Sequence, residues 1–245
     1  QKESPQQPLA QPPDPLAVAV VLILHPPAQG QQQRPWQKVH QALGHLQQVV
    51  DQIELHKPQP VGDLLRPDLA RIALHIALAV EPCPPVLRKL NANLNENKVH
   101  NVVVIPHALS NAVGSVPLFW RDEDTNEGQA TFWPNDGSNV THMVRTETLD
   151  ELVRQHQLAH ISLIKIDVQG AEYQVLQGAR GTLNTYRPAL IFEYDWNWQS
   201  ASVAFSEVQD FLAQFGYTLH SISANGKPIP LKQDAAGEIL ALAAR

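Results

Sequence analysis

The chain has 245 residues and carries a formal net charge of -6, with an isoelectric point near 6.0. This length is enough to bury a sizeable core in one domain, with or without an extension, and the acidic balance gives no electrostatic footprint for nucleic acid. A single cysteine, Cys83, excludes an internal disulfide framework and fits a reducing compartment, so we expect a cytoplasmic protein.

The first 75 residues differ in composition from the rest of the chain. They are rich in proline and glutamine, and residues 1–15 are predicted to be disordered because they have little to bury. The apolar run from Leu16 to Leu24 is too short to span a bilayer, and it lacks the basic lead and cleavage site of a secretion signal. Residues 39–53 fit an amphipathic helix. We therefore separate an atypical N-terminal segment, residues 1–75, from a folded domain, residues 76–245.

An apolar strand is predicted from Ile76 to Val80, directly before Glu81 and Pro82. A prolyl pair, Pro84 and Pro85, then opens a helix with a regular apolar face. A carboxylate at such a strand end can accept hydrogen bonds from both hydroxyls of a ribose. The other interpretation is that Glu81 caps the helix behind it.

The middle of the chain contains further predicted strands. A third buried strand, residues 101–105, runs into a loop that holds His107, Ala108 and Leu109. Residues 116–120 and 130–133 flank a polar stretch and are predicted to form a hairpin or a lid. Thr148 is a plausible cap for the helix that follows it.

The most informative stretch runs from Ser162 to Leu183. Its apolar run ends at Asp167, Gly170 permits a tight turn, and apolar residues then recur at helical spacing. A buried parallel strand followed by a helix places Asp167 and the amides of residues 169–171 where open α/β sheets bind ligands. An ordinary strand and helix whose aspartate caps the helix is the alternative. Lys165 faces opposite to its neighbours in this strand, and a buried lysine needs a carboxylate partner.

The C-terminal part continues the alternation of strands and helices. Residues 188–194 form a strand that ends near Glu193, and Asp195 follows directly. An apolar helical face precedes Gly216, and residues 217–223 and 239–243 are predicted to be a final hairpin. The elements together predict an α/β doubly wound, Rossmann-like sheet that is mostly parallel, with a C-terminal antiparallel strand.

The central motif resembles the late motif of FkbM-type methyltransferases, which use S-adenosylmethionine. The matching residues are Lys165, Ile166, Asp167, Gln169, Gly170, Ala171 and Glu172. The resemblance extends to a strand that ends in Glu81 and Pro82, with Leu90 and Asn93 behind it. It also includes the run of Thr148, Leu149 and Asp150. It covers the chain from Ile76 to the C-terminus.

This resemblance implies a cofactor site and a reaction. Glu81 would bind the ribose, His107, Ala108 and Leu109 would lie beside the adenine, and Asp167, Gln169 and Gly170 would complete the cofactor site. The implied reaction is O-methylation of a hydroxyl on a small molecule or glycan. Methyl transfer is an in-line displacement, so we assign catalytic roles to Asp167 and Glu193. Asp167 would lie near the methionine end of the cofactor or orient the acceptor. No cluster of histidine and cysteine has metal-ligand spacing, so no metal is predicted.

The expected glycine loop behind a first strand is not visible in residues 1–75, whose glycines are Gly30, Gly44 and Gly62. Such loops need two or more glycines so that backbone can approach the ligand. Either this segment has diverged, or it is translated from a shifted reading frame joined to the domain near residues 76–80, which the abrupt change in composition favours. A competing function is an inactive methyltransferase-like binding module that lacks the cofactor loop.

Overall fold

The computed structural model describes residues 18–23, 75–120, 130–133, 140–194, 202–223, 228–231 and 237–243. The strands within these residues are β1 (Val18–Ile23), β2 (His75–Val80), β3 (Val102–Ile105), β4 (Ala108–Leu109), β5 (Gly114–Trp120), β6 (Val140–Glu147), β7 (His160–Ile166), β8 (Ala189–Tyr194), β9 (Tyr217–Ile222), β10 (Pro228–Pro230) and β11 (Gly237–Ala243). The helices are α1 (Pro84–Glu96), α2 (Leu149–Gln155), α3 (Glu172–Gln177), α4 (Arg180–Tyr186) and α5 (Phe205–Ala213). The chain is therefore a mixed α/β protein.

Eight of the described strands form one sheet, in the order β10-β9-β11-β8-β7-β1-β2-β3. The five strands from β8 to β3 in this order pair in parallel. β11 is antiparallel to both β8 and β9, and β10 is antiparallel to β9. Six strands therefore run in one direction and two in the other. The predicted pairing of the last strands is confirmed, but the sheet contains a second antiparallel strand, β10, that the sequence pattern did not reveal.

A strand from the N-terminal segment lies inside the main sheet. β1 pairs with β2 on one side and with β7 on the other, so that Val21 is in register with both Leu78 and Ile164. The apolar run that we discussed only as a membrane span or secretion signal is thus a sheet strand. The residues between β1 and β2 lie outside the described part of the chain. The predicted helix at residues 39–53 and the question of the glycine loop fall there.

The core lies against one face of the main sheet. Alternate residues of neighbouring strands, such as Ile164, Phe192 and Ile239, point to this face because side chains of a strand alternate in direction. Helices α2 to α5 pack there with buried residues such as Leu152 and Phe211. Residues of the opposite parity, such as Leu163 and Leu240, belong to a separate buried cluster. One face of β7 therefore packs on the main core and the other on this second cluster. Lys165 lies on the same face of β7 as Leu163.

The third predicted strand differs from the expectation. The sequence predicted a buried strand at residues 101–105, but β3 is the last strand in the order of the sheet and only Ile105 in it is buried. Val103 is 40% exposed. An unbroken run of β-branched residues is the pattern of a buried parallel strand, so local sequence could not identify β3 as an edge.

A second, smaller sheet has the strand order β4-β6-β5. It includes residues 116–120, which the sequence assigned to a hairpin or a lid. β5 pairs antiparallel with β6 along its whole length, whereas residues 130–133 contribute only the bridge between Thr131 and Phe119. The predicted pairing of residues 116–120 with 130–133 is thus reduced to one bridge, and β6 is the main partner of β5. The polar stretch that joins residues 116–120 to residues 130–133, residues 121–129, lies outside the described part of the chain.

The run of Thr148, Leu149 and Asp150 has a structural explanation. The Thr148 hydroxyl accepts a hydrogen bond of 3.2 Å from the backbone N–H three residues later, as predicted for a helix cap. Leu149 is fully buried. The Asp150 carboxylate accepts hydrogen bonds of 2.8 and 2.7 Å from the N–H groups of Gly181 and Thr182, and one of 2.7 Å from the Thr182 hydroxyl. This run therefore ties α2 to the beginning of α4.

We expect Asp150→Ala to lower the free energy of unfolding by about 2–4 kcal/mol, because it leaves the first N–H groups of α4 without their acceptor. Urea denaturation measures this change. Asp210→Ala is the matched control: Asp210 is exposed in α5, and its removal should change stability by less than about 0.5 kcal/mol. Equal effects of the two substitutions would contradict the proposed role of Asp150.

Candidate functional site

The carboxyl ends of β2, β1 and β7 meet at one edge of the main sheet. β1 lies between β2 and β7, and the chain continues from β1 to β2 on one side while β7 and β8 extend on the other. The strand order therefore reverses between β1 and β7. Such a reversal opens a crevice outside the carboxyl ends of the strands, where ligands of α/β sheets bind. Glu81 follows β2 and Asp167 follows β7, so the two predicted residues lie on either side of the point where the strand order reverses.

The two carboxyl oxygens of Glu81 have different surroundings. It is fully buried, and its Oε1 accepts a hydrogen bond of 2.6 Å from the N–H of Cys83, the residue that caps α1. Its Oε2 is buried and has no hydrogen-bond partner among the described residues. A buried polar atom without a partner is costly unless something else satisfies it. One oxygen of Glu81 therefore supports the helix, and the other is available to a ligand.

The surroundings of Glu81 change its protonation. Burial raises its pKa from 4.5 to about 8, although the hydrogen bond from Cys83 opposes this shift and the negative charge of Asp167 adds to it. The ligand-free side chain is consequently mostly protonated at neutral pH. Hydroxyl groups that donate to Oε2 stabilise the ionised form, so such a ligand displaces the proton.

Both oxygens of the Asp167 carboxylate have neighbours. Lys165 Nζ lies 3.4 Å from Oδ2, and the Gln169 side-chain amide donates to Oδ1 at 3.1 Å. Lys165 Nζ also lies 3.6 Å from Glu238 Oε1 in β11. The expectation that Lys165 requires a carboxylate partner is therefore confirmed, and it has two.

Lys165 is charged despite its burial. Burial by itself lowers its pKa, but the negative charges of Asp167, Glu238 and Glu193 outweigh this effect, so that the pKa is raised above its ordinary value. Glu193 is half-buried in β8 and faces Glu238 in register in β11. Among the described residues, the carboxyl ends of β7 and β8 and the adjacent amino end of β11 thus place one cation among three carboxylates. Asp195, the third acid considered from the sequence, lies outside the described residues.

Glu172 shapes the turn behind Asp167. It is almost completely buried, and its two oxygens accept hydrogen bonds of 2.9 Å from the N–H groups of Val168 and Gly170. The turn has positive φ angles of 53° at Gln169 and 97° at Gly170, which explains the glycine. The N–H of Gly170 is thus directed to Glu172. A cofactor contact at Gly170 would depend on its small size rather than on this amide.

The residues predicted to lie beside the adenine differ in exposure. Ala108 and Leu109 are both 2% exposed in β4. The His107 side chain is 27% exposed, and its Nδ1 lies 3.4 Å from Oε2 of the buried Glu147, without the alignment of a hydrogen bond. Glu147 also accepts a hydrogen bond of 2.6 Å from Gln155. Of the three predicted residues, only His107 has a polar, partly exposed side chain.

Sequence reasoning missed three carboxylates around this site. Glu172 was part of the motif but received no role, although its distance of two residues from Gly170 suits a side chain that stabilises its own turn. Glu147 directly precedes the run of Thr148 to Asp150, which could have drawn attention to it. Glu238 reaches Lys165 only because β11 pairs beside β8, and no local pattern predicts that contact.

Within the described residues, no group of three or more histidine, cysteine, aspartate or glutamate side chains could hold a metal ion. In the same part of the chain, every helix is too short or too polar to cross a membrane.

Comparison with known proteins identifies the family. The family model of the methyltransferase FkbM domain matches residues 67–219. The chain belongs to the FkbM methyltransferase family. The match begins nine residues before the predicted domain start at residue 76 and ends within β9. It confirms the resemblance seen in the motifs around Glu81, Asp150 and Asp167.

A solved structure, methyltransferase FkbM from Methylobacillus flagellatus KT, is similar to this FkbM family member. The two chains are 14% identical with a TM-score of 0.45, and the similarity covers 71% of this chain and 38% of the other. The matched part is thus less than half the length of that protein. The comparison with curated proteins gives no match.

Proposed function

We propose that this protein transfers the methyl group of S-adenosylmethionine to a hydroxyl oxygen of a small molecule or glycan. Its membership of the FkbM methyltransferase family supports methyl transfer as the reaction class. The observation that carries the cofactor assignment is the unpartnered Oε2 of Glu81, buried beside the point where the strand order reverses. A ribose supplies the hydroxyl donors that this atom lacks.

We also propose that the main sheet is doubly wound, with helices on both of its faces. Parallel strands are joined by right-handed crossovers in nearly all known cases. In this strand order, α1 connects β2 to β3 in one direction, whereas α3 and α4 connect β7 to β8 in the other. Right-handed connections on both sides of the reversal require α1 to lie on the face opposite to α3 and α4. This arrangement supports a crevice open to a cofactor between the two halves.

The remaining side chains fit the other parts of S-adenosylmethionine. Asp167 lies at the end of β7, and we place the ammonium of the methionine part beside it, because three carboxylates surround one cation among the described residues there. His107 is the polar residue proposed beside the adenine, with Ala108, Leu109, Gln169 and Gly170 forming the walls. When bound, the cofactor supplies an electrophilic methyl group on a sulfonium.

Glu193 is proposed to orient the acceptor. It lies at the end of β8, beside the strand that carries Asp167, and is half-buried. A carboxylate at that position can accept a hydrogen bond from an acceptor hydroxyl and direct its oxygen toward the methyl group. The same carboxylate can take up the hydroxyl proton as the oxygen attacks.

An inactive binding module is the alternative, and one observation favours it. Residues 24–43, which follow β1 in the sequence, include Pro26 and Pro27 and one glycine, Gly30. A loop that approaches a cofactor closely ordinarily needs more glycines. A shifted reading frame in residues 1–75 would explain the same observation, and reading the coding DNA in its other two frames tests that explanation.

Isothermal titration with S-adenosylhomocysteine tests the proposed cofactor site without knowledge of the acceptor. We expect a dissociation constant in the micromolar range. Because bound hydroxyls favour ionised Glu81, the affinity should rise between about pH 6 and about pH 8, and binding should release a proton into the buffer. Folded protein that does not bind S-adenosylhomocysteine would favour the inactive module instead.

A further inference from the structure

The orientation of the Asp167 carboxylate depends on two neighbouring side chains. Lys165 approaches Oδ2 at 3.4 Å from within β7, and the Gln169 amide donates to Oδ1 at 3.1 Å from the turn. The Asp167 side chain is 19% exposed and that of Lys165 is 12% exposed, so solvent screens the pair only partly. Each oxygen of the Asp167 carboxylate is thus in contact with one of these two side chains.

The two neighbours are themselves anchored to other parts of the fold. Lys165 Nζ lies 3.6 Å from Glu238 in β11, which limits the conformations of its flexible side chain. Gln169 has a φ of 53°, and its carbonyl oxygen accepts a hydrogen bond of 3.4 Å from the Thr131 hydroxyl. The position of Asp167 is therefore set by contacts from β11 and from residues 130–133 as well as from its own strand.

We infer that Lys165 and Gln169 are positioning residues, which hold the Asp167 carboxylate in the orientation that binds the methionine end of the cofactor. The inference rests on the proposed function, because it uses the placement of the methionine part beside Asp167. It gives the Gln169 side chain a role toward Asp167 that is different from the direct cofactor contact predicted from the sequence.

The chemistry of residue 169 makes this inference specific. A glutamine amide donates a hydrogen bond to Asp167, whereas a carboxylate of equal length cannot donate one. A carboxylate at that position would also bring a second negative charge to about 3 Å from Asp167. Gln169→Glu therefore changes the donor into a repelling charge and preserves the length of the side chain.

Titration with S-adenosylhomocysteine tests the inference in Lys165→Met and Gln169→Glu, with thermal unfolding as the check that each variant is folded. We expect each variant to lose about tenfold in affinity at about pH 7.5, since a misplaced carboxylate loses most of one charged contact. Asp167→Asn should lose at least as much. Combining it with Lys165→Met should add less than about threefold, because both substitutions act through one contact.

The pH dependence separates positioning from a merely structural role. The negative charge of Asp167 raises the pKa of the carboxyl that Gln169→Glu introduces, so that lowering the pH to about 5 protonates much of it. The protonated group can again donate to Asp167. The affinity ratio between wild type and Gln169→Glu should therefore shrink at low pH, whereas that for Lys165→Met should not. The other ionisable groups around Asp167 and Gln169 are the same in the wild type and in Gln169→Glu. They are Glu81, Lys165, Asp167, Glu193 and Glu238.

Glu96→Gln is the matched control. Glu96 is exposed at the end of α1 and has no part in the site, so its replacement should change the affinity by less than about twofold. Wild-type affinity in folded Lys165→Met, in Gln169→Glu or in Asp167→Asn would overturn the inference. If Lys165→Met does not fold, Gln169→Glu decides the question alone. Failure of the wild type itself to bind would instead overturn the proposed function, and this inference with it.

Discussion

Glu81→Gln should weaken the binding of S-adenosylhomocysteine by roughly ten- to a hundredfold at about pH 8. The wild-type carboxylate can accept hydrogen bonds from both ribose hydroxyls, whereas the glutamine side chain keeps one acceptor oxygen and turns an N–H₂ group toward the ligand or toward Cys83. Isothermal titration measures the loss. The rise of affinity with pH that we expect for the wild type should be absent from this variant.

The same substitution should stabilise the ligand-free protein. Because the pKa of Glu81 is raised to about 8 in the folded protein, the unfolded chain releases its proton at a lower pH than the folded chain does. The wild type therefore loses stability as the pH rises from about 4.5 to about 8, and Glu81→Gln removes this loss. At about pH 8 we expect the melting temperature of the variant to exceed that of the wild type by roughly 5 °C.

Glu96→Gln is the control for both measurements, because Glu96 is exposed at the end of α1. It should leave the affinity and the melting temperature unchanged. Opposite effects of one substitution on ligand affinity and on stability are expected where a residue serves function at the cost of the fold. If Glu81→Gln lowered both the affinity and the melting temperature, the unpartnered oxygen would have a structural role in the ligand-free protein.

Glu172→Ala should be among the most destabilising substitutions at the site, at about 2–4 kcal/mol of unfolding free energy. It removes the acceptor of the Val168 and Gly170 N–H groups, and Gly170 is itself buried. The turn also has a positive φ of 53° at Gln169, which in a residue other than glycine persists only while its surroundings enforce it. Urea denaturation measures the stability.

This variant should also bind S-adenosylhomocysteine more weakly, because the turn that carries Gln169 is no longer fixed beside Asp167. Glu207→Ala is the matched control. Glu207 is exposed, and its carboxylate accepts a hydrogen bond of 3.1 Å from the N–H of Ala204 at the beginning of α5. Its loss should cost about 1 kcal/mol or less and leave binding unchanged. A similar loss of unfolding free energy in Glu172→Ala and in Glu207→Ala would argue against the importance of the turn.

Local patterns predicted most elements of the domain from residue 76 onward. β7, β8 and α5 were recognisable because each carries a periodic apolar face that ends at a polar residue or at glycine. Glu81 and Asp167 were found for the same reason, since an acid that interrupts an apolar strand end is conspicuous. The partner of Lys165 could be predicted as a carboxylate from the cost of burying a lysine, but not identified as Asp167 and Glu238.

What the sequence could not supply was the arrangement of elements far apart in the chain. β1 was not assigned to the sheet, because its neighbours on both sides are distant in sequence. The exposure of β3 depends on its place at the end of the strand order, and β10 has only three residues. Pairing between distant strands determines all three features, and no local periodicity reports it.

The two ends of the described main sheet also differ in how readily they could pair with a strand from another molecule. β10 begins and ends with proline, and Pro228 and Pro230 have no N–H group to donate to a further strand. β3, at the other end, consists of three valines and an isoleucine without a charge or proline. Unpaired apolar edges of this kind template aggregation. Among the described strands, growth of the sheet into larger assemblies is therefore blocked at one end and left open at the other.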